Sequence, residues 1–299
     1  MESKKKIGNA PSLKIEGHSG CKLEILNNNN NSYSVKKHSG SIPYNERLKQ
    51  QMLKQQVFYK KTSKLNVFLT AEIINEGYDN NSEIYWFSMR YVGGDNATEY
   101  FSKVDVHKLR QISNNYIEYF KKLINESKVL NAPIAPIVGK IAELKKKFKK
   151  NNNLTKGFRE ELIGYLTNAI PNKKIYFGNC HGDFSLTNQL YTKDNIFLLD
   201  FLDSFLDSPI IDIVKLRQDS NLGRIFQLDT KLEKYKYSRA ELSIAFLDNS
   251  IKEFIDSDEI LSAWYPYLQV LNLARIIPYT KSKKELAFLE QNILKIITI

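Results

Sequence analysis

Cysteine is nearly missing from this 299-residue chain: Cys21 and Cys180 are the whole complement. Two isolated thiols exclude a disulfide framework and a zinc site, and reduced cysteines suit the cytoplasm. Long apolar runs are absent too. None approaches the roughly 18 to 20 residues that span a bilayer, and the basic start, Met1 to Lys6, is not followed by a signal-peptide core. These absences predict a cytoplasmic protein without a membrane partner. No Lys/Arg cluster interleaves with aromatics on a nucleic-acid motif, so nucleic acid is not an expected partner either. No internal repeat is present.

What is present is an excess of positive charge. Lys and Arg total 44 against 33 Asp and Glu, a formal net charge of +11. Such an excess suits an anionic partner such as a nucleotide, but solvated runs such as Lys145 to Lys150 contribute much of it and have the ordinary reading of an exposed face. The length admits a large core and one to two domains.

Along the chain, residues 1–10 read as a flexible polar tail. Short β-type segments then alternate with turn signals: Leu13 to Glu16, Gly17-His-Ser-Gly20, Lys22 to Leu26, the asparagine run 27–31, and Tyr33 to Lys36. Leu48, Met52, Leu53 and Val57 or Phe58 fall at near-helical spacing over 44–60. Two further strands are expected near 68–74 and 84–92, and Gly93-Gly94 punctuates the chain. Beyond it the period is mostly helical, at 104–125, 138–150, 155–168 and between 208 and 298. Only Lys174 to Asp200 interrupts it with β-type segments. The pattern predicts an α+β protein of two lobes: a small β-rich lobe over 11–92 and a larger, mostly helical lobe over 93–299.

The chemistry concentrates in His181-Gly-Asp183-Phe-Ser-Leu-Thr-Asn188, followed twelve residues on by Asp200 at the end of the apolar run Ile196 to Leu199. Phosphoryl transfer from a nucleotide asks mainly for positioning and charge neutralisation. A carboxylate must orient or deprotonate the acceptor hydroxyl, and oxygen ligands must hold Mg²⁺. Asp183 suits the first task, Asn188 and Asp200 the second. A hairpin formed by Gln189 to Tyr191, a turn at Lys193 to Asn195 and the strand before Asp200 is expected to draw those two ligands together.

These residues resemble the catalytic loop of the aminoglycoside phosphotransferase and choline kinase group of the protein-kinase-like superfamily. That group's signature is His-Gly-Asp-x-x-x-x-Asn followed by an apolar strand and Ile-Asp-Phe; here it stands as His181, Gly182, Asp183, Asn188, Asp200 and Phe201. The resemblance implies a two-lobed protein-kinase-like fold and ATP or GTP with Mg²⁺ as cofactors. It implies that His181 orients the loop and that Asp212, in Ser208-Pro-Ile-Ile-Asp212, supports it by hydrogen bonds, the alternative for Asp212 being a helix cap.

In the amino-terminal half, Gly17, Ser19 and Gly20 form a turn whose amides suit phosphates, though an ordinary hairpin uses the same letters. Lys36 resembles the strand lysine that contacts nucleotide phosphates, and Lys37 competes because side chains alternate along a strand. The helix that follows departs from the family pattern. Where a Glu is expected it offers Gln51 and Gln55, with Glu46 the nearest acid. Met89-Arg-Tyr-Val92-Gly-Gly94 resembles the hinge, with the backbone of Arg90 and Val92 facing the adenine edge and Met89 at the back of the pocket.

In this group the segment after the metal-binding Asp shapes the acceptor pocket. Asp203, Arg217 and Trp264 are therefore acceptor-binding candidates. Helix capping, ion pairing and core packing are their respective alternatives. Lys252 interrupts the acids of 248–259, and the expected acceptor is a sugar, polyol or amino alcohol rather than a polycationic antibiotic. The expected activity is Mg²⁺-dependent transfer of the terminal phosphoryl group of ATP or GTP to a small-molecule hydroxyl. The missing helix Glu motivates an alternative, a non-catalytic nucleotide-binding module on the same fold.

Overall fold

A computed structural model of the chain describes residues 15–298, apart from 17–20, 29–31, 63–66, 152, 229–232 and 281. It divides into two compact units. One is Met1–Gly94 together with Leu190–Asp203; the other is Asp95–Gln189 with Ser204–Ile299. The segment Leu190–Asp203 thus clusters with residues some hundred positions earlier, which no local pattern foretells.

In chain order the elements up to Gly94 are β1 (Ile15–Glu16), β2 (Lys22–Asn28), β3 (Ser32–His38), α1 (Asn45–Thr62), β4 (Phe68–Thr70), β5 (Ile73–Tyr78) and β6 (Tyr85–Arg90). Next come α2 (Ala97–Phe101), α3 (Val106–Asn125), β7 (Lys128–Asn131), α4 (Ile134–Lys149), α5 (Lys156–Asn168), β8 (Lys174–Phe177), β9 (Gln189–Tyr191) and β10 (Ile196–Leu198). The chain ends in α6 (Pro209–Ser220), α7 (Arg224–Leu228), α8 (Lys234–Asp256), α9 (Glu259–Ile276) and α10 (Lys283–Ile297). The predicted strand 68–74 is two strands, β4 and β5, because the chain leaves one sheet at Thr70 and enters another at Ile73. The strand β7, which pairs with β8, has no counterpart in the sequence reading. Its residues are all exposed, so it carries no alternation to detect.

The first unit holds a five-stranded antiparallel sheet in the order β1-β2-β3-β6-β5. Its register aligns Leu23, Lys37 and Phe87 across three strands, and Ile25, Val35 and Met89 likewise. Because side chains alternate by residue, these two rows share one face. Val35, Phe87 and Met89 on that face meet Leu48 and Met52 of α1 in one core with Cys21, Ala71 and Tyr85. Lys36 belongs to the opposite face. A second sheet, β4-β10-β9, runs β10 parallel to β4 in register Ile196↔Phe68 to Leu198↔Thr70, and Thr70 Oγ1 donates to the Leu198 carbonyl at 3.1 Å. Gly94 closes the unit where only glycine fits: a Cβ there would stand 2.9 Å from the Tyr191 carbonyl oxygen.

The second unit is helical and built around α6, of whose twelve residues only Lys215 is not buried. Ser208 caps it by accepting the Ile210 N–H, and Pro209 occupies the first turn, where a missing N–H costs nothing. The cap is therefore Ser208 and not Asp212. Both cysteines are buried free thiols, and no helix among the described residues is long and apolar enough to cross a membrane.

Candidate functional site

The loop that carries His181 to Asn188 enters from β8 and ends in a 3-10 turn, Leu186–Asn188. Gly182 sits at φ 87, in the left-handed region where a side chain would be strained. The turn it makes points two successive N–H groups at one acceptor. His181 N donates to Asp212 Oδ2 at 2.6 Å and Gly182 N to Asp212 Oδ1 at 2.8 Å. Asp212 is wholly buried; two N–H donors supply the charge-assisted bonds that a buried carboxylate needs. His181, also fully buried, accepts the Asp183 N–H on Nδ1 at 3.2 Å. Its ring lies edge-on to Phe184, 6.0 Å between centroids, and Phe184 stacks on Tyr119 at 5.0 Å. His181 thus packs inside the loop, between the Asp183 backbone and the Phe184 ring.

Asp183 is held from two sides. Asn188 Nδ2 donates to its Oδ2 at 2.9 Å and to its carbonyl at 3.0 Å. On Oδ1 stands the ammonium of Lys215, 3.0 Å away. Burial acts to raise the Asp183 pKa, but the Lys215 charge and hydrogen bond outweigh it and hold the carboxyl below its ordinary value. Asp183 is therefore a fixed, ionised carboxylate at neutral pH. Its side chain keeps 24% exposure, so it is reachable.

Two residues of this cluster escaped the sequence reading: Lys215 and Asp219. With Asp212 they occupy positions i, i+3 and i+7 of α6, one face of the helix. Asp219, buried, accepts the Thr187 N–H at 3.4 Å. Burial pushes its carboxyl up to about 7, the Thr187 hydrogen bond opposing and the Asp183 charge reinforcing. Asp212 thus grips the start of the loop and Asp219 its end. The signal was a polar stripe of helical period inside an otherwise apolar segment.

In the first unit, Asp200 follows β10 at φ 56, a strained conformation for a residue with a side chain and of the kind that collects at functional sites. Its Oδ1 meets Lys37 Nζ at 3.0 Å. Lys37, not Lys36, makes this contact. Lys37 lies on the α1 face of the sheet with its side chain 7% exposed, whereas Lys36 lies over the Trp86 ring on the other face, 3.9 Å from its centroid. The family pattern's helix Glu has no equivalent: Gln55 donates to the Ala71 carbonyl at 2.8 Å and to Met89 Sδ at 3.6 Å, and Gln51 donates to the Tyr44 hydroxyl at 3.1 Å. Asp200 itself neutralises the buried ammonium.

At the expected hinge, Met89 is buried in the α1 core. Arg90 N–H donates to the Glu72 carbonyl, and its guanidinium pairs with the Glu72 carboxylate at 3.0 Å. Arg90 and Val92 line a cavity of about 370 Å³ together with Leu69, Ala71 and Phe197. Gly17, Ser19 and Gly20 lie outside the described residues.

The acceptor candidates fare differently. Arg217 is buried and binds Asp248 bidentately, Nε to Oδ1 at 2.9 Å and Nη2 to Oδ2 at 2.7 Å, and Ser220 Oγ and Asn221 Nδ2 donate to the same carboxylate. Trp264 is fully buried, its Nε1 donating to the Lys174 carbonyl at 2.9 Å. Both are therefore parts of the core, and neither has surface to offer an acceptor. Asp203 is exposed in the segment after Asp200. Among the described residues no group of three or more His, Cys, Asp or Glu side chains is arranged to hold a metal ion.

No protein-family model matches the sequence, and no curated protein matches it significantly. Solved structures do. A thermostable mutant of aminoglycoside phosphotransferase APH(4)-Ia, in ternary complex with AMP-PNP and hygromycin B, superposes with a TM-score of 0.61 at 10% identity, over 98% of this chain and 95% of that one. The GDP complex of aminoglycoside 2'-phosphotransferase-IIIa gives 0.55 at 14% identity, over 91% and 92%. Glucosamine kinase in complex with glucosamine, ADP and inorganic phosphate gives 0.51 at 10% identity, over 91% and 75%. With a small antiparallel sheet unit, a larger helical unit and these likenesses over more than nine-tenths of its length, the chain has the two-lobed α+β, kinase-like fold of these solved structures.

Proposed function

We propose that the chain is a phosphotransferase that moves the terminal phosphoryl group of ATP or GTP to a hydroxyl of a small molecule, a sugar, polyol or amino alcohol. The observation that carries this reading is Asp183: an ionised, reachable carboxylate fixed between Asn188 and Lys215 on a loop clamped by Asp212. Such a group orients an acceptor hydroxyl and takes its proton as the oxygen attacks phosphorus. The proton goes to Asp183, and the bond to the bridging oxygen of the nucleotide breaks with its electrons on the departing diphosphate.

Asn188 and Asp200 are the proposed Mg²⁺ ligands, a reading that rests on the spacing of the motif. Their chemistry fits: both offer hard oxygen donors, and the Asn188 amide nitrogen is already spent on Asp183, which leaves its carbonyl oxygen for a cation. Mg²⁺, when bound, neutralises phosphate charge. Lys37 is the proposed phosphate-contacting lysine and Met89 to Val92 the proposed adenine-facing edge. Of the acceptor candidates Asp203 remains. A second reading, a nucleotide-binding module without turnover, draws on Gln51 and Gln55 standing where a Glu is expected. The Lys37–Asp200 pair answers part of it, since the lysine is neutralised without that Glu.

The test is a thermal-shift and calorimetric screen of Mg-ATP and Mg-GTP, then a product assay against alcohols, amino alcohols and sugars. Nucleotide binding with a phosphorylated product supports the proposal. Binding without product or nucleotide hydrolysis across the panel favours the second reading, and no binding refutes both.

A further inference from the structure

The loop from His181 to Asn188 contains no Lys or Arg, yet a cation stands at its carboxylate, supplied by a helix more than twenty residues further on. Lys215 is the one residue of α6 that is not buried, and its side chain is 15% exposed. A lysine is a costly choice for the middle of a buried helix. A purely structural partner for Asp183 would not need to be solvent-reachable. The helix that carries Lys215 is pinned on the same face at both neighbouring turns, by Asp212 and by Asp219, so the ammonium is held in place before any substrate arrives.

Simple geometry then defines its reach. Lys215 Nζ is 3.0 Å from Asp183 Oδ1. An acceptor hydroxyl bound to Asp183 lies about 3 Å from that carboxylate, and the phosphorus it attacks about 3 to 3.5 Å beyond. An ammonium has three N–H donors, and Asp183 occupies one. The others come within reach of a non-bridging oxygen of the phosphoryl group when acceptor and ammonium lie on the same side of the carboxylate.

We propose that Lys215 is a catalytic cation of the transfer step, holding a non-bridging oxygen of the phosphoryl group in flight while one of its N–H groups stays on Asp183. It exchanges no proton, and the acceptor's proton goes to Asp183. The inference rests on the phosphotransferase reading and adds to it a residue outside the motif.

The experiment measures binding of a mimic of the group in flight, so it needs no knowledge of the acceptor. Mg-ADP and Mg-GDP are titrated by calorimetry into wild type, Lys215→Gln and Lys215→Met, each with and without aluminium fluoride. Lys215→Met keeps the aliphatic stem should the Gln variant fail to fold. Wild type is expected to bind the fluoride complex at least tenfold more tightly than the diphosphate alone. The variants are expected to lose most of that gain, on the order of 10²-fold, consistent with removal of one preorganised donor, while their affinity for the diphosphate stays within about threefold. Alkylammonium ions should partly restore the gain to Lys215→Ala, which a merely structural lysine would not allow. Variants that retain the wild-type gain overturn this inference alone. A wild type that binds no nucleotide, or binds it without any gain from fluoride, overturns the phosphotransferase reading and the inference with it.

Discussion

Lys37 and Asp200 lie 163 residues apart and share a 3.0 Å ion pair inside the first unit. The lysine is buried and the aspartate about half exposed, so the pair is asymmetric: the ammonium depends on the carboxylate, which water already solvates in part.

That asymmetry separates the two adjacent lysines. Lys37→Met is expected to weaken Mg-nucleotide binding on the order of 10- to 100-fold, the size of one or two charge-assisted hydrogen bonds. Lys36→Ala removes a cation from the Trp86 ring and should cost about 0.5 to 1 kcal/mol of stability, leaving nucleotide affinity within about threefold. Calorimetry on the two variants decides, and the opposite ranking would return the role to Lys36.

Asp212 is expected to matter first for stability. Asp212→Ala leaves the His181 and Gly182 N–H groups buried without an acceptor, at about 1 to 3 kcal/mol each. Urea unfolding should show a loss of roughly 2 to 6 kcal/mol. A loss below about 1 kcal/mol would mean that the loop does not lean on α6.

Asp219 makes stability depend on pH in an unusual direction. Its carboxyl is raised to about 7 in the fold against about 4 in an unfolded chain, so the folded state binds more protons between those values. Its contribution is complete below about pH 4, declines as pH rises to 7 and is gone above. Asp183, shifted downward, contributes in the opposite sense, and its window lies below pH 4. Denaturation between pH 5 and 8 should therefore show wild type losing stability with rising pH relative to Asp219→Asn. Parallel profiles would contradict the assignment.

Arg217 is expected to behave as a core residue. Arg217→Ala strands the buried Asp248 carboxylate, and breaking such a pair costs about 3 to 5 kcal/mol. Thermal unfolding reads the effect; an unchanged melting temperature with altered acceptor KM would instead restore Arg217 to the acceptor site.

What could be read from the letters alone follows from where the information resides. The loop from His181 to Asn188 and the later Asp200 were legible because chemistry and spacing coincide in residues few other loops combine. Helix α1 was legible because Leu48 and Met52 fall on one face. The choice between Lys36 and Lys37 was not, because a period of two distinguishes faces without saying which one α1 covers. Lys215 and Asp219 were harder to read for a related reason: the stripe they form with Asp212 is present in the sequence, but it acquires meaning only when α6 lies against the loop. Arg217 and Trp264 looked like binding residues because Arg and Trp suit anions and rings, but burial turned both inward.

The role of Asp183 in phosphoryl transfer is measured directly by transfer of label from [γ-³²P]ATP or GTP by wild type and Asp183→Asn. The expected result is labelled product with wild type and a fall of about 10² or more in turnover with the variant, Mg-nucleotide affinity staying within about threefold. Full transfer by Asp183→Asn, or no transfer and no hydrolysis by a wild type that binds nucleotide, would contradict it.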